Sequence, residues 1–216
     1  LKKKQKYLKV EPLCPQPDMI EEAARIIRAG GVICFPTTSL YGLGADAFNA
    51  HAVERIFDIK GRSHQKPILI LIHHKQELEK LARRIPPMAE DIMRKFWPGK
   101  ITLVFEAGDK LPSNLTADTG KIGVRLALHP VAAALVQAVG SPITATSANV
   151  SGTPGRASIA DLDARIAKNA DLVLDAGELA GGKGSTVLDV TGDFPEILRE
   201  GTVSASDILN FLNKQG

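Results

Sequence analysis

The sequence has only two cysteines, Cys14 and Cys34, and neither sits in a Cys-x-x-Cys or Cys/His cluster. A disulfide scaffold and a zinc site of the usual spacing are thereby excluded, and two structural thiols in a reducing cytoplasm are expected. Aromatic residues make up 5% of the chain, too few for a stacking platform along a single-stranded nucleic acid. Long apolar runs are missing as well. The longest, Ile68-Leu69-Ile70-Leu71-Ile72, has strand length and falls far short of the ~20 residues that span a bilayer, so no membrane association is expected. The Lys-rich start has no apolar segment behind it, so no signal peptide is expected either. His64, His73, His74 and His129 show no metal-ligand spacing, and the Gly-x-Ser-x-Gly elbow of a serine hydrolase is absent.

Excess charge is also scarce. Lys2, Lys3, Lys4, Lys6 and Lys9 crowd into nine residues that hold no acid; subtracting these five from 27 Lys and Arg leaves 22 against 24 Asp and Glu, a net −2 for the rest. The basic balance of +3 is therefore an N-terminal property. A uniformly basic nucleic-acid-binding body is excluded, and any positive site must be built by clustering. Residues 1–10 read as a flexible basic arm and 11–216 as one domain.

What is present is an alternation of strand-like and helix-like runs from end to end, the pattern of a single α/β domain. A helix is expected from Asp18, with Glu21 completing a capping box and Gly30-Gly31 as its stop. Strands are expected at 32–35, 67–72, 101–105, 122–126, 142–146, 171–174, 186–190 and 196–199. Helices are expected at 50–59, 76–83, 87–96, 130–139, 158–167 and 204–213, the last capped by Ser204 or Ser206. The segments 36–49, 60–66 and 107–120 read as loops.

No standard nucleotide motif is complete. Gly42-Leu43-Gly44 follows a strand, but Ala47 stands where a dinucleotide fingerprint needs its third Gly. Gly181-Gly182-Lys183-Gly184-Ser185-Thr186 resembles the end of a P-loop but has broken spacing and precedes a strand. Lys60-Gly61-Arg62, with Lys66 four residues on, places three cations in seven residues. A bend at Gly61 would let them converge on one anion, Arg bidentately and Lys as a point charge; a solvated basic loop is the other reading. Ser147-Ala148-Asn149 follows an apolar strand, where open α/β sheets gather ligands, and also suits a plain turn. Arg125 and Arg199 each close a strand, either in exposed pairs or as anion ligands. Trp97-Pro98-Gly99 reads as a packed turn.

Taken together and in order, these segments resemble the YrdC/Sua5 family, the threonylcarbamoyl-adenylate synthases. The resemblance covers residues 18 to 204. It rests on Pro36-Thr37-Thr38-Ser39-Leu40-Tyr41-Gly42-Leu43-Gly44, Lys60-Gly61-Arg62 with Lys66-Pro67, Trp97 through Thr102, Gly123-Val124-Arg125 with His129-Pro130, Ser147 through Gly152, Ser185 through Asp189, and Ile197 through Gly201. It implies a single-domain α/β fold, a YrdC-like twisted mixed β-sheet with flanking helices and a concave positive face, in the short form of the family. It implies a nucleotidyltransferase that joins L-threonine, bicarbonate and ATP into threonylcarbamoyl-AMP and pyrophosphate for the t6A modification of tRNA in the cytoplasm. Mg2+ is expected to arrive with ATP, and no residue is assigned to hold a metal.

Carried over residue by residue, Lys60, Arg62, Ser147 and Asn149 are implied to be catalytic. Arg62, Lys66, Lys121, Ser147 and Arg199 are implied to bind ATP. Thr37, Ser39, Arg125 and Ser185 are implied to bind threonine. Thr38 stands where the family has Glu, Ser39 where it has Thr, Lys121 where Thr is common and Ala127 where Pro is usual; Leu71 stands where some members place a threonine-contacting His. Implied partners are tRNA or RNA and other t6A-pathway proteins. Two alternatives stand beside this reading: an RNA- or tRNA-binding module of the same fold, and a paralogue acting on another nucleotide or carbamoyl substrate.

Overall fold

Eighteen short helices and strands alternate along the computed structural model, which describes residues 6–212. The strands divide into two mixed sheets. The first runs in the order β1 (Lys6–Lys9), β9 (Leu172–Asp175), β2 (Ile33–Pro36), β3 (Tyr41–Gly44), β8 (Thr146–Ser147). The second runs β11 (Glu196–Arg199), β10 (Thr186–Asp189), β5 (Ile101–Glu106), β6 (Lys121–Leu126), β4 (Ile70–Ile72), β7 (Ile143–Thr144). Both combine parallel and antiparallel pairs. The chain passes from one sheet to the other at β7–β8, where Thr144 N donates to the Ala45 carbonyl and Ala145 N to that of Leu69. The twisted mixed α/β fold expected from the sequence is thus present, with two sheets in place of one.

Helix positions follow apolar spacing. In α1 (Pro17–Arg28), Ile20, Ala23, Ala24 and Ile27 recur three and four residues apart and are all buried. This face packs on α5 (Pro130–Val139) and closes one core against β2 and β9. A larger core holds Tyr41, Phe57, Ile70, Leu103, Phe105 and Val124, with α2 (Ala50–Lys60) and α3 (Pro87–Phe96) packed into it. The remaining helices are α4 (Ser113–Thr116), α6 (Ala164–Asn169) and α7 (Ala205–Leu212). Ser204 caps α7, its Oγ accepting from Asp207 N at 3.1 Å.

Several local expectations change. Within the expected arm 1–10, Lys6–Lys9 form a strand that pairs in parallel with β9, and Val10 is buried. The alternation Leu8, Val10 supplies an inward face, and the free edge of β9 supplies hydrogen bonds. Residues 1–5 lie outside the described residues. α1 starts at Pro17 with no side-chain cap in place of the Asp18 capping box, because proline at the first helical position needs no donor partner. The loop expected over 36–49 contains β3. Thr37 N donates to the Leu40 carbonyl, reversing the chain so that Gly42 faces Phe35 and Gly44 faces Ile33. Gly42 and Gly44 are therefore strand glycines and not a phosphate loop. A Cβ on Gly44 would lie 2.8 Å from the Phe35 ring. The helix expected at 76–83 is a 3₁₀ turn, Lys75–Lys80. That expected at 158–167 divides into a 3₁₀ turn, Ile159–Asp161, and α6, which is restarted by the Asp163 cap.

Gly201 carries a sharp structural demand. A Cβ there would lie 2.2 Å from the Gly184 carbonyl oxygen and 2.4 Å from the Ser185 carbonyl carbon. Both are backbone atoms that cannot rotate away. Gly201→Ala is expected to lower unfolding free energy by about 3 kcal/mol or more, read by urea denaturation. A loss under about 1 kcal/mol would show that this loop yields freely.

Candidate active site: a cleft of three arginines

A cleft of about 580 Å³ opens between the two sheets. Its floor is the second sheet. Strand periodicity puts Lys121, Gly123 and Arg125 of β6 on one face, with the two cations roughly 13 Å apart and a gap at Gly123. A Cβ on Gly123 would meet the Thr102 methyl at 3.2 Å and Leu69 Cβ at 3.3 Å, so a side chain there would crowd the floor. Thr102 and Val104 of β5, with Val187 and Asp189 of β10, complete this floor. The turn Thr37–Leu40 and the strand ends Ala145–Ser147 form the opposite wall.

Charge concentrates here. Arg62, Lys100, Lys121, Arg125 and Arg199 line the cleft, against a single carboxylate, Asp189. That carboxylate is already engaged: Lys121 Nζ lies 2.8 Å from its Oδ2, and Thr191 donates to its Oδ1 through both N (2.8 Å) and Oγ1 (2.7 Å). Burial pushes the Asp189 carboxyl up, but Lys121 and Thr191 outweigh it and hold it below its ordinary value.

Among the described residues, Arg62, Arg125 and Arg199 make no ion pair. Arg62 donates to the carbonyls of Lys66 (3.1 Å) and Pro67 (2.9 Å), and Arg199 donates to that of Ser185 (2.7 Å). Burial, then the charge of Arg199, lowers Arg62 and pulls Arg125 down to about 10; burial lowers Arg199. Three guanidiniums from remote segments thus repel one another with no acid between them. Such an arrangement is costly until an anion arrives.

The expected site residues divide by place. Thr37, Ser39, Arg62, Lys121, Arg125, Ser147, Ser185 and Arg199 all line the cleft. Ser185 Oγ and Thr102 Oγ1 share a buried 2.7 Å hydrogen bond. Lys60, Lys66 and Asn149 do not line it. Gly61 adopts a left-handed conformation, φ +57°, which ends α2. Lys60 turns inward, only 1% exposed, while Arg62 reaches the cleft. Lys60 Nζ donates to the carbonyls of Ser147 and Asn149 (2.8 Å to the latter), and Ser151 N donates back to the Lys60 carbonyl at 2.8 Å. Burial, then Arg62, brings its ammonium down to about 8. Asn149 is buried, donating to the carbonyls of Val150 (2.8 Å) and Thr153 (2.6 Å). Both residues therefore hold the 147–153 turn from behind. Lys66 is exposed outside the cleft, because the Arg62 side chain binds its carbonyl. Lys121, expected to add a cation beside the nucleotide, spends its charge on Asp189.

A family model for Sua5, YciO and YrdC proteins, whose description reads "telomere recombination", matches residues 25–201. The chain belongs to this family. A Pyrococcus abyssi threonylcarbamoyl-AMP synthase is 38% identical over 189 residues, which are 88% of this chain and 56% of that protein. A Bacillus subtilis protein of the same name is 37% identical over 203 residues, 92% of this chain and 58% of that one. The chain thus spans little more than half the length of these relatives. The solved structure of P. abyssi Sua5 complexed with L-threonine superposes with a TM-score of 0.89 at 35% identity, covering 95% of this chain and 60% of that one.

Within this Sua5/YrdC fold, motif reading missed Lys100, Thr119 and Thr202 at the cleft. Lys100 sits inside the Trp97–Thr102 motif, and its charge beside a Gly was the available signal. Thr119 and Thr202 lie in polar turns that carry none. Trp97 is a packed turn as expected: its Nε1 donates to the Ile101 carbonyl at 2.9 Å. His129 caps α5, accepting from Val131 N at 3.2 Å. Among the described residues, no cluster of three or more His, Cys, Asp or Glu could hold a metal, and no helix is long and apolar enough to cross a membrane.

Proposed function

We propose that this cleft condenses L-threonine, bicarbonate and ATP into threonylcarbamoyl-AMP, releasing pyrophosphate and water: a nucleotidyl transfer whose product feeds the t6A modification of tRNA. The observation that carries the reading is the trio Arg62, Arg125 and Arg199, facing one cleft without a carboxylate partner among the described residues. Every reacting species is an anion or becomes one, so the site's work is charge neutralisation and positioning, with no covalent nucleophile required.

In this reading Arg125 grips the threonine carboxylate at one end of the floor. The Ser185–Thr102 hydroxyl pair, with Thr37 and Ser39 on the opposite wall, orients the amino acid. The threonine amine, freed of its ammonium proton, bonds to the bicarbonate carbon as that carbon's bond to its hydroxyl oxygen breaks, and the hydroxyl leaves as water with a second proton from the nitrogen. The carboxylate oxygen so formed attacks the α-phosphorus, and the bond to the β-phosphate oxygen breaks, its electron pair leaving with pyrophosphate. Arg62 and Arg199 neutralise the phosphates, and Ser147 hydrogen-bonds the nucleotide or the carbamoyl group. Lys60 and Asn149 act at one remove by fixing the turn that carries Ser147. Asp189 is occupied by Lys121 and Thr191, so these residues do not fit a protein-held metal; Mg2+ enters as part of the nucleotide substrate.

The test is pyrophosphate release by purified protein given ATP and bicarbonate with L-threonine, L-serine, glycine or no amino acid. Release that requires threonine and is weak with the other two supports the synthase. Release indifferent to the amino acid, or preferring another, points to a different carbamoyl substrate and overturns it. For a tRNA-bound role, the effect of removing residues 1–5 and the steepness of salt dependence are the readouts.

A further inference from the structure

We infer that Lys100 receives the pyrophosphate leaving group and marks the border across which it departs. The inference rests on the reading that the cleft takes a nucleoside triphosphate. Four observations support it.

First, Lys100 is exposed and, among the described residues, its ammonium has no hydrogen-bonding or ionic partner, whereas Lys121, the other lysine of the cleft, is held by Asp189 at 2.8 Å. Of the two lysines that line the cleft, Lys100 is the one left free to meet an incoming polyanion.

Second, Lys100 and Thr202 line two cavities at once. One is the arginine cleft. The other is a neighbouring cavity of about 800 Å³ bounded by Lys95, Trp97, Asp207 and Phe211 among others. A triphosphate whose α-phosphorus lies among the arginines must project its β- and γ-phosphates toward a rim. The Lys100–Thr202 rim is where cleft and second cavity meet.

Third, the backbone here is fixed while the side chain is not. Gly99, at φ +98°, leaves no room for a Cβ, which would lie 2.6 Å from Leu128. The Lys100 carbonyl then accepts from Thr186 N at 3.2 Å, tying it to the start of β10. A rigid root and a long, unpartnered stem suit a group that must catch a product and let it go.

Fourth, the one acid lining the second cavity, Asp207, is held away in a hydrogen bond, accepting from Ser204 Oγ at 2.7 Å. The chemistry balances without a further reactant. As the bond from the α-phosphorus to the bridging oxygen breaks, that oxygen takes the electron pair, and the Lys100 ammonium offsets the charge growing on the departing group.

The experiment titrates inorganic pyrophosphate into the wild type, Lys100→Ala, Lys100→Arg and Lys95→Ala by calorimetry. Lys95 lines the second cavity only and controls for loss of general charge. Lys100→Ala is expected to weaken pyrophosphate binding about tenfold, the scale of one charge-assisted hydrogen bond. Lys100→Arg should keep most of the affinity, and Lys95→Ala should stay within about twofold of wild type. Threonine binding should be unchanged in Lys100→Ala, while its kcat/KM for ATP falls and product inhibition by pyrophosphate weakens with it. Equal losses in Lys100→Ala and Lys95→Ala, no loss in Lys100→Ala, or no pyrophosphate binding by the wild type would each overturn the inference. A wild type that binds pyrophosphate through Lys100 yet releases none in a threonine-dependent assay would overturn the synthase reading and leave the Lys100 assignment standing.

Discussion

Replacing Arg125 with alanine lowers kcat/KM for threonine by roughly two to three orders of magnitude, the scale for removing one partner of a desolvated charge pair, while the unliganded protein loses no thermal stability. The two halves of this expectation have one cause. Arg125 is half-buried at the end of β6, and its guanidinium has no hydrogen-bonding or ionic partner among the described residues. Burial and the nearby Arg199 pull it down to about 10. A buried charge without a counter-ion costs folding free energy, and removing it relieves that cost. In the proposed reaction, the same charge is where binding energy would be recovered once threonine's carboxylate arrives. Arg125→Lys should restore part of the affinity, since a point charge replaces the fork but not its bidentate geometry. Thermal denaturation of Arg125→Ala with and without threonine, beside steady-state kinetics, checks both halves. A variant that melts well below wild type without ligand, or that keeps its kcat/KM, would remove Arg125 from the threonine site.

Lys60→Met is expected to do the reverse, lowering stability and activity together. The lysine stem fills a buried position, and its ammonium serves the carbonyls of Ser147 and Asn149. Methionine keeps most of the volume and removes the donors: the Ser147 carbonyl retains its bond from Asn149 N, but the Asn149 carbonyl loses its donor, at about 1–3 kcal/mol. The 147–153 turn would then loosen, and Ser147 would lose its place on the cleft wall. The pH profile separates this from a simple packing defect. In the folded protein burial holds the Lys60 ammonium at about 8, below its ordinary value of 10.5. Between those values the unfolded chain binds the proton that the folded one has lost, so Lys60 makes unfolding free energy rise with pH across that window. Below pH 8 its cost is fully present. Urea denaturation of wild type and Lys60→Met from pH 7 to 10.5 should show this rise in the wild type and its absence in the variant. Parallel curves would mean that Lys60 does not titrate in that range, and unchanged activity would mean that the turn stands without it.

The elements legible in the sequence were those with strong local patterns. α1, α3 and α5 carry their apolar stripes on the chain itself, and β5, β6 and β9–β11 are short apolar runs bounded by polar turns. β3 was not legible, because Tyr41-Gly42-Leu43-Gly44 reads as a loop until the turn Thr37–Leu40 lays it against β2. Strand Lys6–Lys9 was hidden in the same way: lysines suggest a solvated arm, and only the free edge of β9 recruits them.

The candidate site divides along the same line. Residue order alone determined the family motifs and the supply of cations: Arg62, Arg125 and Arg199 stand out because a near-neutral chain places them beside glycines and at strand ends. Which charges are free was decided only in three dimensions, because a sequence counts cations without their partners. Lys121 looked like an added cation until Asp189, from β10, came to 2.8 Å. Lys60 looked like an anion ligand until α2 formed and placed it on the buried face with Val53, Ile56 and Phe57. Lys100 was one more cation beside a glycine until two cavities met beside it. Side-chain pairing between remote strands sets the field of the cleft, and that pairing exists only once the two sheets have closed on each other.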